Sequence, residues 1–119
     1  MSIFTTILAT VVALEHLYIM YLETFATQSV KTSQVFNMTQ EELSRKSVTA
    51  LFKNQGIYNG LLAIFLLYGI ITGNLEITTI FVLFVIGAAG YGALTASPKI
   101  LLTQGGPAIL ALLSILLFK

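Results

Sequence analysis

The sequence predicts an all-α polytopic membrane protein: a four-transmembrane-helix bundle with an amphipathic cytoplasmic helix extending the second span. Three observations predict it. The chain of 119 residues is 56% hydrophobic and only 9% charged, with a mean hydropathy of +0.90, whereas a soluble domain carries about 25% charged residues. Four apolar segments stand out, at about 3–24, 54–73, 76–96 and 98–118, each long enough to cross roughly 30 Å of hydrocarbon at ~1.5 Å per residue. They consume most of residues 1–119 and leave one substantial loop, 25–53, so the chain reads as a single transmembrane domain.

The first segment lacks the basic start of a cleaved signal and stays apolar too long for one, so it reads as a retained span. In the loop, "ATQSVKTSQ" is polar and expected to be mobile. "NMTQEEL" carries a capping box, Thr39 with Glu42 three residues on, and Met38 can staple onto Leu43. A helix should therefore start near Gln40, and nothing up to Ile70 would break it, so one helix is expected to run from the loop into the second span. "GN" at 73–74 fits a tight turn before the third span. Ser97-Pro98 fits an N-cap followed by proline at the first helical position, which would start the fourth. "GGP" at 105–107 should kink that span, because Pro107 frees the carbonyl of Thr103.

Charge sets the expected orientation. Lys31, Arg45, Lys46 and Lys53 lie between the first two spans, and Lys99 between the last two. By the positive-inside rule, loops 25–53 and 97–99 are cytoplasmic and both termini lie outside the cell membrane. With no cysteine there is no disulfide, thiolate chemistry or cysteine metal site. A net charge of +1 predicts no nucleic-acid affinity.

Threaded with that orientation, the strongly polar groups occupy one slab, from the midplane to the cytoplasmic face. "LEHLYIMYLETF" (14–25) brings Glu15, His16, Tyr18 and Glu23; "NQGIYNG" brings Asn54, Gln55, Tyr58 and Asn59; the third and fourth spans bring Tyr91 and Gln104. These ten residues are the candidate ligand-binding set. His16, Met20 and Glu23 share one helical face, with Glu15 about 100° away. An ionisable group at this depth faces the bundle interior, since facing lipid costs at least ~2.5 kcal/mol. Asn59, Tyr91 and Gln104 are the expected cross-helix partners of Glu15. Gly56 and Gly60 form a GxxxG step, which permits close helix packing and a homodimer.

"VALEHLYIMYLETF", "NQGIYNGLLA", "YGALT" and "QGGPAILALL" together resemble the domain-of-unknown-function family 1304 of small bacterial membrane proteins, over nearly the whole chain and in order and spacing. The resemblance implies four transmembrane helices and the same ten polar positions, and no activity. Where relatives commonly carry tryptophan and arginines in the first loop, this chain reads "TFATQSVKTSQVF".

Several functions fit these residues. A cytosol-facing polar pocket with aliphatic walls suits a small apolar or amphiphilic ligand, or a lipid of the surrounding bilayer. Glu15 and His16 could instead serve as the acid/base pair of a membrane-embedded enzyme. A small proton-coupled transporter is a third reading, against which the strong charge bias speaks. A hydrogen-bonded network that only locks the helices is the structural reading. No cofactor is implied. No metal site is expected, because Glu15 points away from the face shared by His16 and Glu23. The identity of the ligand and the protonation of Glu15 and His16 are not fixed by the sequence.

Overall fold

The computed structural model describes residues 1–96 and 99–119, so the expected helix start at Ser97-Pro98 lies outside the described residues. All regular structure among them is helical: α1 (Ile3–Met20), a π-helical turn (Tyr21–Phe25), α2 (Val30–Phe36), α3 (Gln40–Ser44), α4 (Lys46–Ile71), α5 (Leu75–Thr95), α6 (Lys99–Thr103) and α7 (Gly105–Phe118). Three helical stretches are long and apolar enough to cross a membrane: Ile3–Phe25, Lys46–Ile71 and Leu75–Thr95, of 23, 26 and 21 residues. The fourth apolar segment is divided at Gln104 into α6 and the 14-residue α7, three residues before Pro107. The chain divides into two compact units, residues 1–15 with 63–119, and residues 16–62.

The first unit is packed through small side chains. Ala9 and Ala13 of α1, Ala63 of α4, Ala89 of α5, and Ala108 and Ala111 of α7 are all buried, interleaved with Val12, Leu66, Val82 and Val85. Apolar helices gain nothing by leaving lipid for one another, so close backbone approach and dispersion hold them together. At the turn after α4, Gly73 takes a left-handed φ of 66°, and the Asn74 side chain caps α5 by accepting from the Ile77 N–H. A β-carbon on Gly69 would sit 2.8 Å from Ile77 Cγ2, which shows how tightly that hairpin closes. Polar groups enter this core sparingly. Thr5 and Ser114 share a buried hydrogen bond of 2.7 Å, Ser2 Oγ donates to Thr5 Oγ1, and the Ser2 N–H donates to the Lys119 carbonyl.

The second unit is organised by caps. Ser29 caps α2, whose chain leaves through Asn37 in the left-handed region. Thr39 and Glu42 make the expected capping box on α3, and Leu43 is fully buried. Two expectations are corrected here. The 26–34 stretch is folded rather than mobile, because its hydroxyls are turned onto backbone carbonyls: Thr27 Oγ1 donates to Glu23, and Thr32 Oγ1 to Ala26 and Leu22. The single helix expected from Gln40 to Ile70 is broken at Arg45, whose backbone is extended (φ −63°, ψ 132°). In a continuous helix the Leu43 carbonyl belongs to the N–H four residues on; here the Thr49 hydroxyl donates to it at 2.6 Å. Sequence propensity could not reveal that competition, since the rival donor lies beyond the break. Helix α4 thus starts afresh at Lys46, well before Asn54.

Candidate functional site

The first span does not end as an α-helix. From Tyr21 to Phe25 it widens into a π-turn, closed by the Ala26 N–H donating to the Tyr21 carbonyl five residues back at 3.0 Å. Such widenings are rare and occur frequently at functional sites. This one holds Glu23, a carboxyl group buried to 1% exposure in an apolar span.

Glu23 has a specific partner. Asn59 Nδ2 donates to Glu23 Oε1 at 2.6 Å, joining the end of the first span to α4. Two glycines let the helices come that close. A β-carbon on Gly56 would collide with Thr24 Oγ1 and lie 3.1 Å from Glu23 Cβ. One on Gly60 would collide with Met20 Sδ. The GxxxG step is therefore consumed inside residues 16–62. Just above it, Thr24 Oγ1 donates to the Lys53 carbonyl at 3.0 Å.

A cleft of about 270 Å³ opens beside this junction, lined by residues 24–29 and, from α4, by Thr49 and Lys53. Lys53 supplies the only charge among its lining residues, and no carboxylate lines it. Gln40 Nε2 donates to the Gln28 carbonyl and pins the cleft's outer segment to α3.

Of the ten residues expected from the sequence, the second unit contains seven, and it brings Glu23 and Asn59 into contact. His16 is buried, at 4% exposure. Tyr18 and Tyr58 are exposed, as are Asn54 and Gln55, so the expected alignment of Gln55 with Asn59 puts only Asn59 to use. In the first unit Tyr91 is exposed and Gln104 half-buried. Glu15 is half-buried, and its Oε1 is buried without a hydrogen-bond partner. The expected bonds from Tyr91 and Gln104 to Glu15 are thus not made at this oxygen. Among the described residues no group of three metal-ligating side chains converges.

None of the cleft's lining residues belongs to the ten. The signal that could have found them is the density of hydroxyls in "TFATQSVKTS", each competing for backbone groups. Read as loop composition it suggested mobility, although the same residues build a folded rim.

The family described as "Protein of unknown function (DUF1304)" matches residues 10–116. The "Uncharacterized protein YpaA" of Lactococcus lactis subsp. lactis (strain IL1403) is 59% identical over 116 residues, which cover 96% of this chain and 98% of that one. No solved structure matches the chain.

Proposed function

We propose that this chain, which belongs to the DUF1304 family, is a multi-pass protein of the bacterial cell membrane that binds the polar head of a lipid or other small amphiphile. The observation that carries this reading is the cleft at residues 24–29, Thr49 and Lys53, a concave polar site at the end of an apolar span. A ligand site needs a cavity with a few convergent polar groups beside apolar surface. Phe25, 71% exposed on the cleft's edge, offers that surface to an acyl chain.

In this reading the chain crosses the bilayer four times, α6 and α7 together forming the last crossing. Lys31, Arg45, Lys46 and Lys53 keep the loop that bears the cleft in the cytoplasm, and both termini lie outside. The chain has no cysteine, so single cysteines report its orientation cleanly. Thr72→Cys should react with a membrane-impermeant maleimide on intact cells, and Gln34→Cys only after lysis; the reverse pattern would invert the topology.

Binding itself is tested by native mass spectrometry of protein purified gently in detergent. Wild type should carry a defined extra mass that Gln28→Trp, which fills the cleft, loses. If both carry the same lipid, the cleft is not the site. The alternative reading, acid/base chemistry by Glu15 and His16, is favoured by the buried, unpartnered Glu15 Oε1. It requires Glu15→Gln to abolish turnover of the bound molecule while binding survives.

A further inference from the structure

We infer that the cleft selects a polyol phosphate head, with Lys53 as counter-ion to the phosphate and the cleft's hydroxyl oxygens as acceptors for the polyol. This deepens the reading above and rests on it. Two independent properties of the lining residues lead to it.

The first is charge. Lys53 is the only ionisable residue lining the cleft, and among the described residues it forms no ion pair. The 16–62 unit also holds Lys31, Arg45 and Lys46, against which its exposed acids are Glu41 and Glu42. An anion is attracted here and an ammonium repelled. A basic residue at the membrane surface strengthens the hold on an anionic lipid about fivefold.

The second is the direction of the hydroxyl protons. A hydroxyl has one proton to donate and two lone pairs to accept with. Thr24, Thr27 and Thr49 each donate that proton to a backbone carbonyl, of Lys53, Glu23 and Leu43 respectively. Thr32 Oγ1 donates to the Ala26 carbonyl at 2.7 Å, so the proton between Ser29 and Thr32 comes from Ser29. All four lining hydroxyls have therefore committed their protons within the fold, and what remains to them is lone pairs.

A bare phosphate has no use for lone pairs, because it offers acceptors of its own. The guest must pair a negative group for Lys53 with O–H donors for the threonines. An amine could donate as well, but Lys53 repels it. A phosphodiester carrying a glycerol or another polyol meets both demands. The same chemistry is available from a lipid headgroup or from a soluble polyol phosphate.

Native mass spectrometry of the full chain in detergent separates the two demands, using three lipids of equal chain length. Phosphatidylglycerol has charge and hydroxyls, phosphatidylethanol has the charge alone, and phosphatidylcholine has neither net charge nor donors. Phosphatidylglycerol should be held about fivefold more tightly than phosphatidylethanol, the value of one good hydrogen bond. It should exceed phosphatidylcholine by more. Lys53→Ala, at an exposed position, should weaken both anionic lipids about fivefold and leave their ratio unchanged, while Lys53→Arg keeps the wild-type order. Displacement by free glycerol 1-phosphate would identify a soluble guest; resistance to it would identify the lipid, and both support the inference. Equal retention of phosphatidylglycerol and phosphatidylethanol, or no effect of Lys53→Ala, would overturn it while leaving amphiphile binding intact. Retention of all three lipids that Gln28→Trp does not reduce would overturn the cleft as a site altogether.

Discussion

The two units of the chain draw on the same apolar residues but use polar ones differently. In residues 1–15 with 63–119, most hydroxyls fold back on their own helix: Thr6 and Thr10 on α1, Thr78 and Thr79 on α5, and Thr95 at its end each donate to the carbonyl four residues earlier. These bonds satisfy the side chain and demand no partner. In residues 16–62 polar groups reach across sequence instead, Asn59 to Glu23 and Thr24 to Lys53. A buried carboxyl group is an expensive way to join helices, since removing charge from water costs more than pairing returns. The first unit achieves its packing with alanine and glycine, so adhesion alone does not require Glu23. The contrast locates functional demand in the second unit.

The largest expected effect breaks this contrast at the glycines. Gly56→Leu should leave little folded protein, because even its β-carbon collides with Thr24 Oγ1; overpacking costs about 1–3 kcal/mol or more. Gly87→Leu and Gly90→Leu should melt near wild type in detergent, since no atom lies within 4 Å of a β-carbon at either position. Next comes the buried pair. Asn59→Leu leaves Glu23 Oε1 unpaired and should lower stability by about 3 kcal/mol. Glu23→Leu combined with Asn59→Leu should recover most of it, as apolar replacements of buried pairs do. Recovery of stability without recovery of lipid retention would separate function from adhesion, the point of the comparison.

Smaller effects sharpen it. A double-mutant cycle of Thr5→Val and Ser114→Ala should give a coupling of about 0.6 kcal/mol, the usual size for hydroxyl pairs between membrane helices. The least is expected at the surface. The Thr39 N–H and hydroxyl hold the exposed Glu42 carboxyl below its ordinary value of 4.5. A group depressed in the folded state stabilises above its unfolded pKa and loses that contribution as pH falls through the folded one. Helicity should therefore decline slightly below about pH 4 in wild type, and Glu42→Gln should remove that dependence in circular dichroism.

Local signals in the sequence were reliable where a single residue decides the geometry. The Thr39 capping box, the Gly73-Asn74 turn and the packing of Gly56 and Gly60 each follow from the chemistry of a few atoms. The shared face of His16, Met20 and Glu23 was legible from helical spacing, and within residues 16–62 Met20 and Glu23 both meet α4. Side chains competing with the backbone were not legible. Thr49 ends α3 from beyond the break, and the hydroxyls of 24–32 turn an apparent linker into the wall of a cleft. Periodicity registers where side chains point, but not which carbonyl a hydroxyl will take. For the same reason a polar slab was read at the right end of the first span, while the cleft beside it went unread.

The π-turn at Tyr21–Phe25 has a consequence for spacing along the chain. Its ring closes over five residues where an α-helix closes over four, so it stores one residue more than the span needs. Deleting a residue there would let the backbone relax to an ordinary α-helix without shortening what precedes it. Everything after the deletion would then turn by about 100° relative to α1, carrying residues 26–29 away from Thr49 and Lys53. The first span thus keeps its reading frame for the membrane and a second one, shifted by a single residue, for the cleft. A one-residue deletion should erase the second and spare the first.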